Sequence, residues 1–292
     1  MSTPSTTFQL ARPLPRTLAP FPYEDLRSYL RRLAWANGIS ANMLTAPSTW
    51  LSPHRDFVAY LSTISGQPRE LLLRAIPLLD DAPRPLHPAM ASGRPCRLCV
   101  ARRTGQPDSS LIAWRSQFHD QVCLRHYRWL GHPDNPFLLQ ADLRPIPDVV
   151  QAFRRHRRLL RRHRPALLDA CYEHCSHLWH ACLSTGLRSS SRERRLRLLQ
   201  VDDWITAPAD PRWHAVDYPE IIHLVSLYAS AYWRPRAATG GSELSSYLLE
   251  LARRVPDWGA LAAASGDYRG EFQQAALGID RVLELTRSAC SP

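Results

Sequence analysis

Lysine is absent: all 37 residues counted as Lys or Arg are arginine. With it goes the Walker type of phosphate loop, whose lysine reaches the terminal phosphates, and Gly240-Gly241-Ser242 lacks that loop's spacing as well. The Gly-x-Ser-x-Gly elbow of serine hydrolases does not occur either. Adjacent aspartates stand only at Asp80-Asp81 and Asp202-Asp203, which read as loops or helix caps and not as paired magnesium sites. No catalytic constellation is left, and the expectation is a protein that is not an enzyme. Apolar runs are short as well: none approaches the roughly 18 residues of a membrane span. The opening MSTPSTTFQLARPLPRTLAPFP has no cationic start followed by an apolar block, so it is not read as a signal peptide. The chain carries seven cysteines, an odd number, so it is expected to be cytoplasmic, with thiols reduced or metal-bound and not locked in disulfides.

What is present is positive charge. The net charge is +11 and the pI near 9.8, which suits a polyanionic partner whose phosphates release counterions when neutralised. A GC-rich genome favours arginine on codon grounds, so the charge carries more functional weight than the choice of arginine over lysine. With 292 residues and 45% hydrophobic content, two or three small domains with real cores fit.

The organising stretch runs from Pro95 to Leu130. Two short motifs, Cys96-x-x-Cys99 and Cys123-x-x-His126, are separated by 23 residues. Each has the spacing of a tight knuckle, and together they offer three thiolates and one imidazole, a donor set for tetrahedral Zn2+. Four protein ligands leave no open position. One structural zinc is therefore expected, its binding energy folding a segment too short to bury a core alone. A zinc hydrolase would need an open position, and a Cys99 or Cys123 nucleophile with His126 as base is a poorer use of paired knuckles. His119 and His132 are spare fourth ligands without that spacing. Between the pairs, the polar GQPDSS and the half-apolar run around Leu111, Ile112, Trp114 and Phe118 read as a ribbon hairpin with aromatic packing. Buried or free cysteines, the other reading, leave that polarity unexplained.

Taken in order, residues 1–22 form an extended arm with five prolines, lying on the surface or along another domain. Leu26, Tyr29, Leu30 and Leu33 then recur at helical spacing, with Glu24 and Asp25 at the N-terminal end. Asn37-Gly38 breaks that helix, and Ile39, Met43 and Leu44 restart an apolar face. A second helix pair is expected over Asp56 to Ile64 and Arg69 to Ile76, around the turn Ser65-Gly66-Gln67-Pro68. Pro77, Pro83, Pro85 and Pro88 end the region. The expectation is a mainly α fold: a helix-turn-helix-like domain over 23–90, a zinc-ribbon module over 91–144 and an Arg-rich all-helical region over 145–292. An ordinary helical domain without DNA contact has the same spacing.

Within the last region, Pro145 to Arg164 reads as a helix with Val149, Val150, Phe153, Leu159 and Leu160 inward, and seven arginines lie between 154 and 164. From Arg144 to Gln200 there are 13 arginines against four acidic residues, so the charge is concentrated. Arg154, Arg155, Arg157, Arg158, Arg161 and Arg162 are candidate contacts to DNA phosphate, a role that carries no base information. A solvated face, or a surface for an acidic protein, is the other reading. Next, DACYEHCSHLWHAC brings Cys171, His174, Cys175, His177, His180 and Cys182 together. The cysteines fall at helical spacings among apolar residues and read as core, not as a second metal site. Another basic helix starts near Arg192, and further helices are expected over Glu220 to Trp233, Ser242 to Val255 and Phe272 to Leu285.

Several of these pieces resemble one family. Arg12-Pro13-Leu14-Pro15, then Glu24-x-x-x-Ser28-Tyr29-Leu30-Arg31-Arg32-Leu33-Ala34 with Asn37-Gly38, are similar to the opening of TniQ proteins, and Cys96-x-x-Cys99, Trp114-Arg115 and Cys123-x-x-His126 are similar to their zinc ribbon. TniQ proteins select targets for transposons that use a DDE transposase with an AAA+ ATPase. The similarity covers about residues 10–165; Leu124 and Tyr127 stand where the family often has Pro and Gly, and no later Cys-x-x-Cys follows. What the resemblance implies is a non-catalytic adaptor that binds DNA or a DNA-bound complex and recruits the AAA+ ATPase. The alternative is a zinc-stabilised protein-interaction scaffold or transcriptional regulator with no role in transposition.

Overall fold

Asp25 starts the first helix. Its carboxylate accepts a hydrogen bond from the Ser28 amide at 3.2 Å, and α1 (Leu26–Ala36) follows with Tyr29, Leu30, Leu33 and Ala34 buried, as the helical spacing predicts. The computed structural model describes residues 12–44, 57–79, 90–105, 111–116, 118–131, 140–184, 187–201, 210, 212–239, 241–255 and 269–289. Asp56, Asp80-Asp81, Pro83, Pro85, Pro88, His132, Gly186, Asp202-Asp203, Gly240 and the arm up to Ala11 lie outside them. The described residues hold twelve α-helices and four short strands, so the fold is mainly α. They divide into two compact units, the first within Met1–Gln117 and the second formed by Phe118–His132 with Leu138–Pro292.

In the first unit, α1 is followed by α2 (Ala41–Leu44), α3 (Phe57–Ser65), α4 (Arg69–Ala75) and a 3-10 turn at Pro77–Leu79. Leu30, Leu33, Leu44, Leu61, Ile64 and Leu72 meet in one apolar cluster. The described part of the arm is built into it: Leu14 is buried and its amide donates to the Ile64 carbonyl at 2.9 Å. Thr17 packs so close to Gly66 (φ +64°) that a Cβ there would come within 2.7 Å of its methyl group, so that turn requires glycine.

Glu24 is the polar hub of this unit. Fully buried, it accepts from Arg32 Nε at 2.8 Å and Nη2 at 2.6 Å, from the Ser28 hydroxyl at 3.1 Å and from the Phe21 amide at 2.8 Å. Ser28 Oγ in turn accepts the Ile112 amide at 2.9 Å. The Glu-x-x-x-Ser spacing with Arg32 one turn later thus satisfies a buried carboxylate completely. The run around Leu111 to Phe118 does not fold back on itself as a ribbon hairpin. It supplies one strand, β2 (Ala113–Ser116), antiparallel to β1 (Met90–Gly93) upstream, while Tyr23 and Asp25 hydrogen-bond to Trp114 and Ile112 along its other edge. Both edges of β2 are thus taken by segments distant in sequence.

The second unit begins with the hairpin β3 (Val122–Cys123) and β4 (Arg128–Trp129) and continues through α6 (Pro147–Leu160), α7 (Pro165–Ser184), α8 (Ser190–Leu199), α9 (Trp213–Tyr228), α10 (Trp233–Thr239), α11 (Gly241–Arg254) and α12 (Arg269–Ala289). The label α5 belongs to Arg97–Thr104 in the first unit. From Ala215 to Tyr228, α9 is buried on nearly every side, as a helix with no polar face must be. It starts well before the expected Glu220 and carries Pro219 inside it; enclosure by α6, α7, α8, α10 and α11 outweighs the missing hydrogen bond. The expected helix from Pro145 to Arg164 is, by contrast, shorter. It stops at Leu160, and Arg161 to Arg164 form the turn into Pro165, whose ring disfavours helix in the residue before it.

Two arginines counted above with the cationic surface are internal. Arg195 of α8 is 2% exposed, donates to Asp148 of α6 at 2.7 Å, to the Val216 carbonyl at 2.7 Å, and to Glu220 of α9. Arg192, 4% exposed, donates to Asp217 at 2.6 Å. Burial lowers the Arg195 pKa, yet Glu220 and Asp148 together raise it above its ordinary value. Replacing one partner of such a group strands the others in a medium they cannot ionise freely in. Arg195→Leu is expected to destabilise the protein by about 3–5 kcal/mol, read from urea unfolding midpoints, and a loss under about 1 kcal/mol would show that the network is dispensable.

Candidate metal centre and arginine groove

Cys96 caps α5 and Cys99 lies in its first turn, where amide N–H groups and the helix dipole favour thiolate. Val100 locks that turn into place, fully buried with Phe21, Leu111 and Ala113. Phe21 is itself flanked by two guanidinium groups, Arg32 at 4.9 Å and Arg103 at 4.7 Å from the ring centre. On the hairpin, strand alternation turns Val122 and Trp129 into the core while Cys123 and Arg128 stay partly exposed. Trp129 meets Tyr218 of α9 edge-on at 5.2 Å, and Arg128 reaches the Gln140 carbonyl at 3.2 Å and Asp142 at 3.7 Å. The tip between the strands, Leu124 to Tyr127, is thereby held at its base.

The three sulfur atoms of Cys96, Cys99 and Cys123 and a ring nitrogen of His126 all lie within 4.8 Å of one another. Cys123 Sγ and His126 Nδ1 are 3.7 Å apart. A tetrahedron with metal–sulfur bonds of about 2.3 Å and metal–nitrogen bonds of about 2.05 Å has a sulfur–nitrogen edge of about 3.6 Å, so this pair is already at ligating distance. The four residues singled out from spacing alone are brought together and could hold a metal ion. No family model, no curated protein and no solved structure matches this chain.

His119, the spare ligand, is used elsewhere. Its Nδ1 lies 3.1 Å from His156 Nε2 and its Nε2 2.8 Å from Asp169, while His156 Nδ1 lies 2.6 Å from the Tyr218 hydroxyl. One direction of donation satisfies this chain: Tyr218 O–H to His156, His156 N–H to His119, His119 N–H to the Asp169 carboxylate, with both rings neutral. The cysteines of α7 are core residues. Cys171, Cys175 and Cys182 are fully buried, and burial pushes the thiols of Cys171 and Cys182 up to about 12 and that of Cys175 well above its ordinary value. His174 packs on Gly278 of α12, and His180 faces Asp217 at 3.6 Å.

The arginine candidates divide. Arg154, Arg155, Arg157, Arg158 and Arg161 line a groove of about 590 Å³ with Gln151, and Leu124 of the hairpin tip closes one side. Arg162 is exposed but does not line it. Among the described residues none of these arginines has a carboxylate within ion-pair distance, in contrast to Arg192, Arg195, Arg234 and Arg254. Arg155 is half-buried, its Nη1 2.6 Å from His223 Nε2 and 2.8 Å from Nδ1. Burial, then Arg158 and Arg254, lower its pKa; burial, with Arg155, Arg254 and Arg195 beside it, holds His223 down at about 4. Spacing did not single out Leu124 or His223. Leu124 follows a ligand directly, a position from which a knuckle-tip contact could have been suspected; His223 carries no local signal.

Two outcomes follow from this geometry. Loaded with cobalt(II), the wild-type protein should show the intense visible bands of a tetrahedral thiolate site at about one ion per chain; Cys123→Ser should abolish them, and weak octahedral bands in the wild type would refute the donor set. The second concerns acid. Burial, with His119 and Arg157 nearby, pushes His156 down to about 3, whereas in the unfolded chain it titrates near 6.5. The unfolded state therefore binds the proton first, and stability is lost as pH falls from about 6.5 towards 3, by about 1.4 kcal/mol per pH unit from this residue. His156→Gln, which can hydrogen-bond but not titrate, should show a shallower loss in urea unfolding between about pH 6 and pH 4.5. Parallel curves would mean that another group sets the acid limit.

Proposed function

We propose that this chain is a non-catalytic, zinc-containing adaptor that binds DNA, similar in role to TniQ proteins. The observation that carries the reading is the groove: five guanidinium groups on and just beyond one helix, without carboxylate partners among the described residues, lined up over about 10 Å from Arg154 to Arg161. Proteins ordinarily neutralise clustered arginines internally, as Arg192 and Arg195 are neutralised here. A row of unneutralised ones suits an external polyanion with regularly spaced charges, and the phosphate backbone is such a ligand. Zinc is the ion we assign to Cys96, Cys99, Cys123 and His126, because three thiolates and an imidazole in a compact set favour it over harder divalent ions. With four protein ligands its role is structural, holding the hairpin tip beside the groove.

Recruitment of an AAA+ ATPase, the adaptor's second task, is supported by the resemblance of the Glu24 to Gly38 segment and the cysteine motifs to TniQ. It also needs a protein-facing surface, which Trp35 and Met43, 66% and 62% exposed in the first unit, could supply.

The salt dependence of duplex binding tests the reading. If six phosphates are neutralised, log affinity should fall against log salt with a slope of about −5, and Arg157→Gln with Arg158→Gln should make it shallower by about 2. Binding indifferent to salt, or no binding to duplex at about 50 mM salt, would sink the DNA reading. Tight binding to an acidic polypeptide in its place would favour the interaction-scaffold alternative.

A further inference from the structure

The groove is not purely cationic. Leu124, 41% exposed, is the apolar residue among its described lining, and Tyr127, 38% exposed, lies outside that lining at the other end of the same four-residue tip. A phosphate gains nothing from leucine. A ligand that fills both parts of this surface must carry negative charge and, a few ångströms away, a flat or apolar face.

The tip is built to stay in place. It is flanked by Cys123 at the end of β3 and by β4, which begins directly after Tyr127, and both Cys123 and, within the tip, His126 are candidate metal ligands. Tyr127 has φ +50°, a left-handed conformation that a bulky residue adopts only where its surroundings impose it, and its carbonyl accepts the Leu143 amide at 2.8 Å. Trp129 below is fully buried. An apolar knob so fixed can contact a base without first being ordered, which is what makes insertion worthwhile.

Resting on the DNA reading above, we infer that the groove and the hairpin tip form one composite site for nucleic acid whose bases are out of the regular stack. The arginines hold phosphates, and Leu124 and Tyr127 take the face of an unpaired or displaced base. In an undistorted duplex the base faces are covered by their neighbours, and bulky side chains on a protein surface reach them only where a step opens. An unpaired base presents its face at much lower cost, and stacking it on such side chains is tolerant of sequence.

The test compares three DNAs of equal length, a perfect duplex, the same duplex with a central single-base bulge, and one strand alone, binding to the full-length, metal-loaded protein at several salt concentrations. The bulged duplex is expected to bind about tenfold more tightly than the perfect one, with a similar salt slope. Leu124→Ala, whose cobalt spectrum checks that the metal site is intact, should erase that preference. Arg157→Gln with Arg158→Gln should weaken binding to all three DNAs and keep the preference. Equal affinity for bulged and perfect duplex, with the normal salt slope, overturns this inference and leaves the DNA reading standing. Failure to bind any of the three overturns both. Capture by vesicles rich in anionic phospholipid, lost in Leu124→Ala and without DNA binding, would assign the composite site to a membrane surface.

Discussion

Arg195 holds the second unit together. A guanidinium carries five N–H donors in a rigid fork, and this one spends them on groups from two other helices, Asp148 at the start of α6 and Val216 with Glu220 on α9. Three helices that share only apolar contacts could slide against each other by a turn at modest cost. Once a buried charge must find its partners, one register is satisfied and the neighbouring ones leave charges stranded. Asp217, adjacent in the helix, repeats the constraint with Arg192 and faces His180 of α7. The orientation of α6, and so the direction in which its arginines point, follows from that register.

The first unit solves a related problem with the opposite sign. There the buried group is a carboxylate, Glu24, and the cation that meets it is Arg32. The residues that carry the family resemblance in this region, Glu24, Ser28 and Arg32, turn out to be those that tie the arm, α1 and β2 together. Their spacing is therefore a statement about folding.

Most of the helices, and the four residues that could hold a metal, were legible in the sequence because their signals are local, whereas the helix Arg97–Thr104 within the expected ribbon was not. Two residues separated by two others are forced into proximity by a tight turn, and Leu26, Tyr29, Leu30 and Leu33 share a face by the pitch of the helix alone. The partner of β2 was not legible, since a four-residue strand carries no mark of whether it pairs upstream or downstream. Nor was the division of the arginines. Arg154 and Arg195 look alike in a basic stretch, and only the packing of Asp148, Asp217 and Glu220 against α8 converts two of those charges from surface to core. The start of α9 was a third miss: the helix begins at Trp213 and carries Pro219 inside it, a local breaker overruled by burial on nearly every side.

The two kinds of arginine have opposite electrostatics, and that contrast bears on function. Arg195 sits among carboxylates that raise its pKa; Arg155 sits among like charges, and its pKa is lowered by burial and by Arg158 and Arg254. Its near neighbour His223 can receive its N–H only as a neutral ring, and it is held neutral by the same burial and the same cations. Five guanidinium groups kept together repel one another, and among the described residues no carboxylate lies within ion-pair distance to relieve them. On the DNA reading proposed above, a phosphate entering the groove would relieve that repulsion, and affinity would fall with salt because dissolved counterions screen the same charges. Leu124 adds nothing to that balance. On the composite-site inference drawn above, that apolar side chain answers to the uncharged part of the ligand, and it is what would separate a reader of nucleotides from a general trap for anions.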